Sequence, residues 1–278
     1  MFPNEPLVSS RVAAGWLDGE SLGRRLRLSH IGRRAGSGLL VVPLDHTVGA
    51  GPLRRDGDLD ALTAQLAEHG ADAVVLHKGA ARRVRPARFR DLSLVVQLNA
   101  STRMAPDPDA KYPVATVEEA LRLGAHAVSV HVNVASCTED AQIAHLAAVA
   151  EACDRWSVPL LAMMYVRGPS VRDPRDPELV AHAVTIAAEL GADLVKTALP
   201  EDPGAAARVI GGAAVPVLAA GGAPEGKPEA VLGRMAAAMR AGAAGVAVGR
   251  LVFTADDPGA MVRRLAAVVH DRAPVTVR

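Results

Sequence analysis

Residues 176–197 read DPELVAHAVTIAAELGADLVKT and contain one complete helix-to-strand unit. Asp176 has the short polar side chain of a helix N-cap, Pro177 suits the first helical position, and Glu178 adds an acidic first turn. Leu179, Val180, Ala183, Ile186, Ala187 and Leu190 then recur at helical spacing. Gly191 can take the left-handed conformation that closes a last helical turn. Leu194-Val195 reads as a buried parallel strand, and Lys196 stands at its end.

The junction repeats along the chain. It occurs at Gly70-Ala71-Asp72, Gly124-Ala125-His126, Gly191-Ala192-Asp193 and Gly242-Ala243-Ala244, at intervals of 54, 67 and 51 residues. Apolar runs follow each one: Val74 to Leu76, Val128 to Val132, Leu194-Val195 and Val246 to Val248. The intervals leave room for one more strand between each pair. Leu39 to Leu44, Leu94 to Leu98, Leu160 to Met164 and Val215 to Ala219 fill those places. Strands alternating with helices in this number predict an α/β chain folded as a (β/α)8 TIM barrel over 37–271. Thr116 with Glu119 has the pattern of a capping box, and Ile143, Leu146, Ala147 and Ala150 repeat at helical spacing. Residues 1–36, with the Arg-rich stretch Arg24 to Arg34, are expected to form a helical cap on the barrel's N-terminal face. No linker divides the chain, so 1–278 reads as a single domain.

Composition narrows the classes of function. At 278 residues, half of them apolar, the chain can bury one substantial core. Aromatics are 3% of residues, so Ala, Val and Leu must fill it. A net charge of +1 argues against nucleic acid and membrane surfaces as partners. No apolar run approaches the roughly 20 residues that span a bilayer. Pro3, Asn4, Glu5 and Pro6 do not resemble a signal peptide. Cys137 and Cys153 have neither metal-ligand spacing nor the density of a disulfide framework, so a reduced cytoplasmic protein is expected. Of the 31 basic residues only Lys78, Lys111, Lys196 and Lys227 are lysines. In so Arg-rich a chain a strand-end lysine draws notice, because a guanidinium cannot become a neutral amine nucleophile.

Catalytic groups of such barrels lie at the C-terminal ends of the strands. Read in order, those ends are Asp45-His46, His77-Lys78, Asn99, His131 with Asn133, Tyr165, Lys196, Gly221-Gly222 and Gly249-Arg250. The paired glycines suit a phosphate held by backbone N–H groups, with Arg250 adding a charge-assisted contact, although glycine also simply permits tight turns. Lys196 is the candidate Schiff-base nucleophile. An ion pair with a carboxylate such as Asp45 is the structural alternative, and Lys78 is the rival lysine. Tyr165 can shuttle protons or be a satisfied rim tyrosine. Asp45 can serve as base or electrostatic partner, with His46 orienting it. His131 and Asn133 read as hydrogen-bonding supports. No spacing makes a zinc or two-metal cluster, so no metal and no cofactor are expected.

These residues resemble a known family, the archaeal-type class I aldolases and their relatives the aminodideoxyheptulosonate synthases. The resemblance is carried by Val42-Pro43-Leu44-Asp45-His46, Leu76-His77-Lys78-Gly79, Ser129-Val130-His131-Val132-Asn133-Val134, Ala162-Met163-Met164-Tyr165, Asp176 to His182, Val195-Lys196-Thr197, Ala220-Gly221-Gly222 and Gly245 to Arg250, in order over about 38–270. It implies a Schiff base on Lys196, proton shuttling by Tyr165, Asp45 as third catalytic group, and phosphate binding after strands seven and eight. It also implies a homo-oligomer, often a decamer. His131-Val132-Asn133 and Met163-Met164-Tyr165 resemble the heptulosonate-synthase branch, whereas fructose-bisphosphate aldolases of the family tend to carry Trp near Met163. A similar bacterial branch joins dihydroxyacetone phosphate to L-aspartate 4-semialdehyde, giving a seven-carbon amino keto phosphate, and the Arg-rich composition leans toward it. The other implied activities are a transaldol reaction with a deoxyketohexose phosphate donor and fructose-bisphosphate cleavage. Arg167 or Lys78 would then meet the acceptor's carboxylate. Thr47 and Val166 depart from the family's usual glycine and proline. The family's lysine after the glycine pair is missing at Ala223-Pro224, with Lys227 close behind.

Overall fold

Gly70, Gly124, Gly191 and Gly242, the glycines of the repeated junction, all sit at positive φ, between 79° and 104°. This is the backbone region that L side chains avoid and glycine enters freely. Each therefore turns a helix end into the next strand. The computed structural model describes residues 21–32, 38–53, 57–223 and 227–270.

The third residue of the junction has a role of its own. Asp72 donates its N–H to Leu40 O at 2.9 Å, and Asp72 Oδ2 accepts from Leu40 N–H at 2.7 Å. Asp193 makes the same pair with Leu160, at 3.0 and 2.7 Å, and His126 with Leu94, at 2.8 and 3.1 Å. A side chain thus satisfies an N–H in the first two residues of the preceding strand, which would otherwise be a buried orphan. Ala244 has no polar side chain and keeps only the backbone half, to Val217 O at 2.9 Å.

Eight parallel strands close into a barrel. They are β1 (Leu39–Pro43), β2 (Ala73–Leu76), β3 (Ser93–Gln97), β4 (Ala127–Val134), β5 (Leu160–Val166), β6 (Leu194–Thr197), β7 (Val217–Ala220) and β8 (Gly245–Ala247). Closure is made by β1 on β8, with Leu39 opposite Gly245 and Val41 opposite Ala247. β7 begins two residues later than expected because Pro216 has no N–H to give a ladder; its carbonyl still accepts from Val195. Side chains alternate as a pleat requires. Leu39, Val41, Val75, Val95, Leu161 and Leu218 fill the barrel interior, while Leu40, Val42, Val74, Val96, Val128 and Val195 face the surrounding helices.

The expected N-terminal cap is realised in helix α1 (Leu22–Ile31). Its Leu28 and Ile31 pack onto Leu39, Ala127, Leu161 and Leu194, residues at the strands' first turns, and so close that end of the barrel. Arg24 on α1 meets Asp193 at 3.1 Å, both side chains being under 10% exposed. The rest of the expected cap, 1–20 and 33–36, lies outside the described residues. Thr116 and Glu119 form the capping box that their spacing predicts. Two features had no sequence signal: β2 and β3 are joined by the single turn Lys78–Ala81 and the 3-10 turn Pro86–Arg90, and a short antiparallel ribbon pairs Asn99–Ala100 with Tyr112–Pro113. Among the described residues no helix is long and apolar enough to cross a membrane.

Candidate active site

β4, β5 and β6 run in register so that His131 lies opposite Met163, and Met163 opposite Lys196. The period of two then brings Tyr165 and Lys196 to the mouth from adjacent strands, above the apolar interior. Lys196 is buried, 7% exposed, and the neighbour of its Nζ is the thioether of Met163 at 3.8 Å. Among the described residues it forms no ion pair, so the pairing with Asp45 weighed as an alternative is not made. The Tyr165 ring centroid is 5.8 Å from Lys196 Nζ, 4.9 Å from Arg167 Cζ and 4.9 Å from the His131 ring.

A cavity of about 300 Å³ opens here. Lys196 and Tyr165 line it, together with Asp45, His46 and Arg250 from β1 and β8, and His131 and Arg167 from β4 and β5. In a closed ring of eight strands these two pairs lie across the barrel from one another. Asp45 stands at the N-cap position of the turn His46–Ala50 without a side-chain capping bond; its Oδ1 is buried, 3.5 Å from His46 Nδ1, too long for a good hydrogen bond, and has no other partner among the described residues. Burial holds the His46 imidazole below its usual pKa; the Lys196 and Arg250 charges add to this, and Asp45 opposes it. His131 is pushed well below its usual value by burial and by Lys111 and Arg167. Its Nε2 is 2.9 Å from Asn133 Oδ1, and its backbone is pinned by both ends of the Asn99 amide, at 2.8 and 2.9 Å. Asn133 in turn donates to Asp109 O at 2.8 Å.

The glycines at β7 and β8 are dictated locally. A Cβ on Gly249 would meet Pro43 O at 2.2 Å, one on Gly221 would press on Val248 at 3.0 Å, and Gly222 has φ +73°. Close packing therefore accounts for Gly249 and Gly221 and the left-handed backbone for Gly222, and Arg250 is the member of this group that reaches the cavity. Gly222 lines a neighbouring cavity of about 390 Å³ instead. Lys78 is not brought to the site. It begins the turn after β2, its Nζ pairs with Glu119 at 2.9 Å, and it lines a separate, mostly apolar cavity. Lys227 caps the helix Pro228–Arg240, and Pro224 lies outside the described residues. Cys153 is buried and its thiol pushed up to about 12, and Cys137 is exposed. Among the described residues no His, Cys, Asp and Glu cluster could hold a metal. Sequence reading passed over Gln97, Ser101, Arg103 and Lys111, which also line the cavity. The available signal was Lys111 itself, one of four lysines.

The model of the DeoC/LacD family aldolases matches residues 39–255, nearly the whole barrel. The chain belongs to this aldolase family. This aldolase is 54% identical, over 89% of its own length and 90% of the relative's, to the 2-amino-4,5-dihydroxy-6-oxo-7-(phosphonooxy)heptanoate synthase of Streptomyces griseus. It is 46% identical, over 84% of its own length and 88% of the relative's, to the 2-amino-3,7-dideoxy-D-threo-hept-6-ulosonate synthase of Halobacterium salinarum. Among solved structures, an archaeal fructose-1,6-bisphosphate aldolase with its catalytic Lys covalently bound to the carbinolamine intermediate superposes with a TM-score of 0.82 at 30% identity. That match covers 89% of this aldolase and 99% of the other chain.

Proposed function

We propose that this aldolase joins dihydroxyacetone phosphate to L-aspartate 4-semialdehyde through a Schiff base on Lys196, forming 2-amino-4,5-dihydroxy-6-oxo-7-phosphooxyheptanoate. The observation that carries the reading is a buried lysine, without an ion pair among the described residues, that lines a polar cavity in a chain 54% identical to a synthase of that product. The unprotonated Lys196 amine adds to the ketone carbon, and loss of water leaves an iminium. That cation makes the neighbouring carbon acidic, and its proton leaves to give an enamine. The enamine carbon bonds to the aldehyde carbon, the aldehyde oxygen takes a proton, and water releases the product while freeing Lys196. Tyr165, on the strand beside Lys196, carries these protons. Asp45 stabilises the cationic intermediates and takes up a proton in turn, with His46 orienting it. Arg250 holds the donor phosphate, with the β7 and β8 backbone at Gly221, Gly222 and Gly249 behind it. His131 backs Tyr165, and Arg167 lies toward the acceptor.

Two further parts belong to the same reading. We infer a cytoplasmic homo-oligomer, a decamer on the family resemblance; a monomer mass in light scattering would remove that part. Borohydride reduction with dihydroxyacetone phosphate should add the reduced donor to the peptide containing Lys196. Lys196→Met should abolish both the adduct and carbon–carbon bond formation, a loss on the order of 10⁴-fold or more given what an activated nucleophile contributes. Bond formation that survives Lys196→Met, or an adduct on another lysine, would sink the proposal.

A further inference from the structure

The reaction proposed above brings two anions into one cavity: a phosphate on the donor and a carboxylate on the acceptor aldehyde. Arg250, after β8, supplies a cation at one side. Across the barrel are two more, Arg167 at the end of β5 and Lys111 on the loop after β3.

Among the described residues neither of those two makes an ion pair with a carboxylate. Lys111 Nζ donates to Ser101 Oγ and to Pro108 O, both uncharged acceptors, the latter at 3.0 Å. An ammonium has three donors, so one is left for a ligand. The guanidinium of Arg167 lies over the Tyr165 ring and, among the described residues, makes no ion pair. The two cations act on each other and on one imidazole. Burial, then the charge of Arg167, lowers the Lys111 pKa against the opposing pull of Asp109, Asp107 and Asp45. Both cations also depress that of His131. Two like charges brought to a half-buried cavity are costly until an anion joins them.

We propose that Lys111, with Arg167 beside it, takes the carboxylate of the acceptor aldehyde and so sets the enzyme's preference for an acidic acceptor. The inference rests on the aldol reading above and assigns its second subsite. In the proposed product five carbon–carbon bonds of about 1.5 Å each separate the keto carbon from the carboxylate, and the phosphate leaves the keto carbon in the opposite direction. A keto carbon bonded to Lys196 Nζ therefore lets the phosphate reach toward Arg250 while the carboxylate reaches past Tyr165. Tyr165 is the ring that both Lys196 and Arg167 approach within 6 Å.

The test compares L-aspartate 4-semialdehyde with butanal, a four-carbon aldehyde lacking the carboxylate, in the parent and in Lys111→Met and Lys111→Arg. Loss of a charge-assisted contact should lower kcat/KM for the semialdehyde about 10- to 100-fold in Lys111→Met. Butanal should not fall with it, and Lys111→Arg should recover most of the preference. The dihydroxyacetone phosphate concentration that half-saturates borohydride trapping should stay where it was, which also shows a folded site. An equal loss with both aldehydes, or a shift of the trapping midpoint in place of the semialdehyde effect, overturns the assignment. A parent protein that is not trapped at all refutes the donor chemistry and this subsite with it, and the defect then lies in the parent, not the variant.

Discussion

Lys196 owes its reactivity in the proposed reaction to what surrounds it: a thioether at 3.8 Å, a tyrosine ring at 5.8 Å and, among the described residues, no carboxylate in an ion pair with it. An amine so placed is poised for carbonyl addition, but each later step needs a proton moved, and Tyr165 is the hydroxyl-bearing ring beside it. Tyr165→Phe keeps the ring that His131 and Arg167 pack on and removes only the hydroxyl. It should lower kcat about 10²- to 10⁴-fold, the range for a general acid–base group, while the donor KM changes little. Steady-state kinetics at saturating semialdehyde check this, and near-parental kcat would take the role from Tyr165. Lys196, Tyr165 and Asp45 were legible in the sequence because each ends a strand whose apolar run is easily seen. Lys111 was not, because it hangs on a loop closed by a ribbon of two residues a side, too short to leave a periodic pattern. Lys78 misled for the opposite reason. It follows a strand as Lys196 does, but it opens a helical turn, and its side chain swings to Glu119, 41 residues away in the chain.

At the level of elements, the helix-to-strand junction explains both why the fold was readable and what holds it. The glycine at C′ and the apolar run after it were visible; the work of the third residue was not, since Asp72, His126, Asp193 and Ala244 share no chemistry that a pattern could flag. Their shared property is a backbone N–H that donates to a carbonyl at the start of the preceding strand, and Asp72, His126 and Asp193 also accept from the N–H there. Asp193 also receives Arg24 from α1, tying the cap to the strand that bears Lys196. Removing one partner of a buried ion pair leaves the other charge uncompensated, typically at 3–5 kcal/mol. The exposed Asp154, 3.6 Å from the same guanidinium, softens this. Asp193→Ala should therefore cost about 3 kcal/mol in urea unfolding, near the low end of that range. Asp193→Asn, which can still accept from Leu160, should cost distinctly less. A loss below about 1 kcal/mol for the alanine variant, the scale of an exposed pair, would mean that the cap is not anchored there.

At the scale of the whole molecule, His46, His77, His131 and His145 are shifted in one direction. Burial is the first cause at His46, His77, His131 and His145, and in each it lowers the pKa below that of an unfolded chain. Three of the four, His46, His77 and His131, line the cavity; behind burial, the charges of Lys196 and Arg250 lower His46 further, and those of Lys111, Arg167 and Lys196 lower His131 further. The consequence for stability follows from linkage. A group whose folded pKa is depressed takes up its proton in the unfolded state first, so acid favours unfolding. The stability these histidines contribute is complete above the unfolded value of about 6.5 and is lost as pH falls from there toward their folded values. The shifted carboxylates, Asp60, Glu118, Glu119 and Glu229, have lowered pKa values whose unfolded references are 3.8 and 4.5, so their losses come at lower pH. Between about pH 6.5 and 5 the histidines therefore dominate. Melting temperature should be flat from pH 8 down to about 7 and then fall steadily toward pH 5, and His131→Asn should flatten the acid limb. Differential scanning calorimetry on parent and variant decides it. A parental melting point that holds or rises between pH 6.5 and 5 would show that the cavity histidines are charged in the folded state, against the direction that burial gives them.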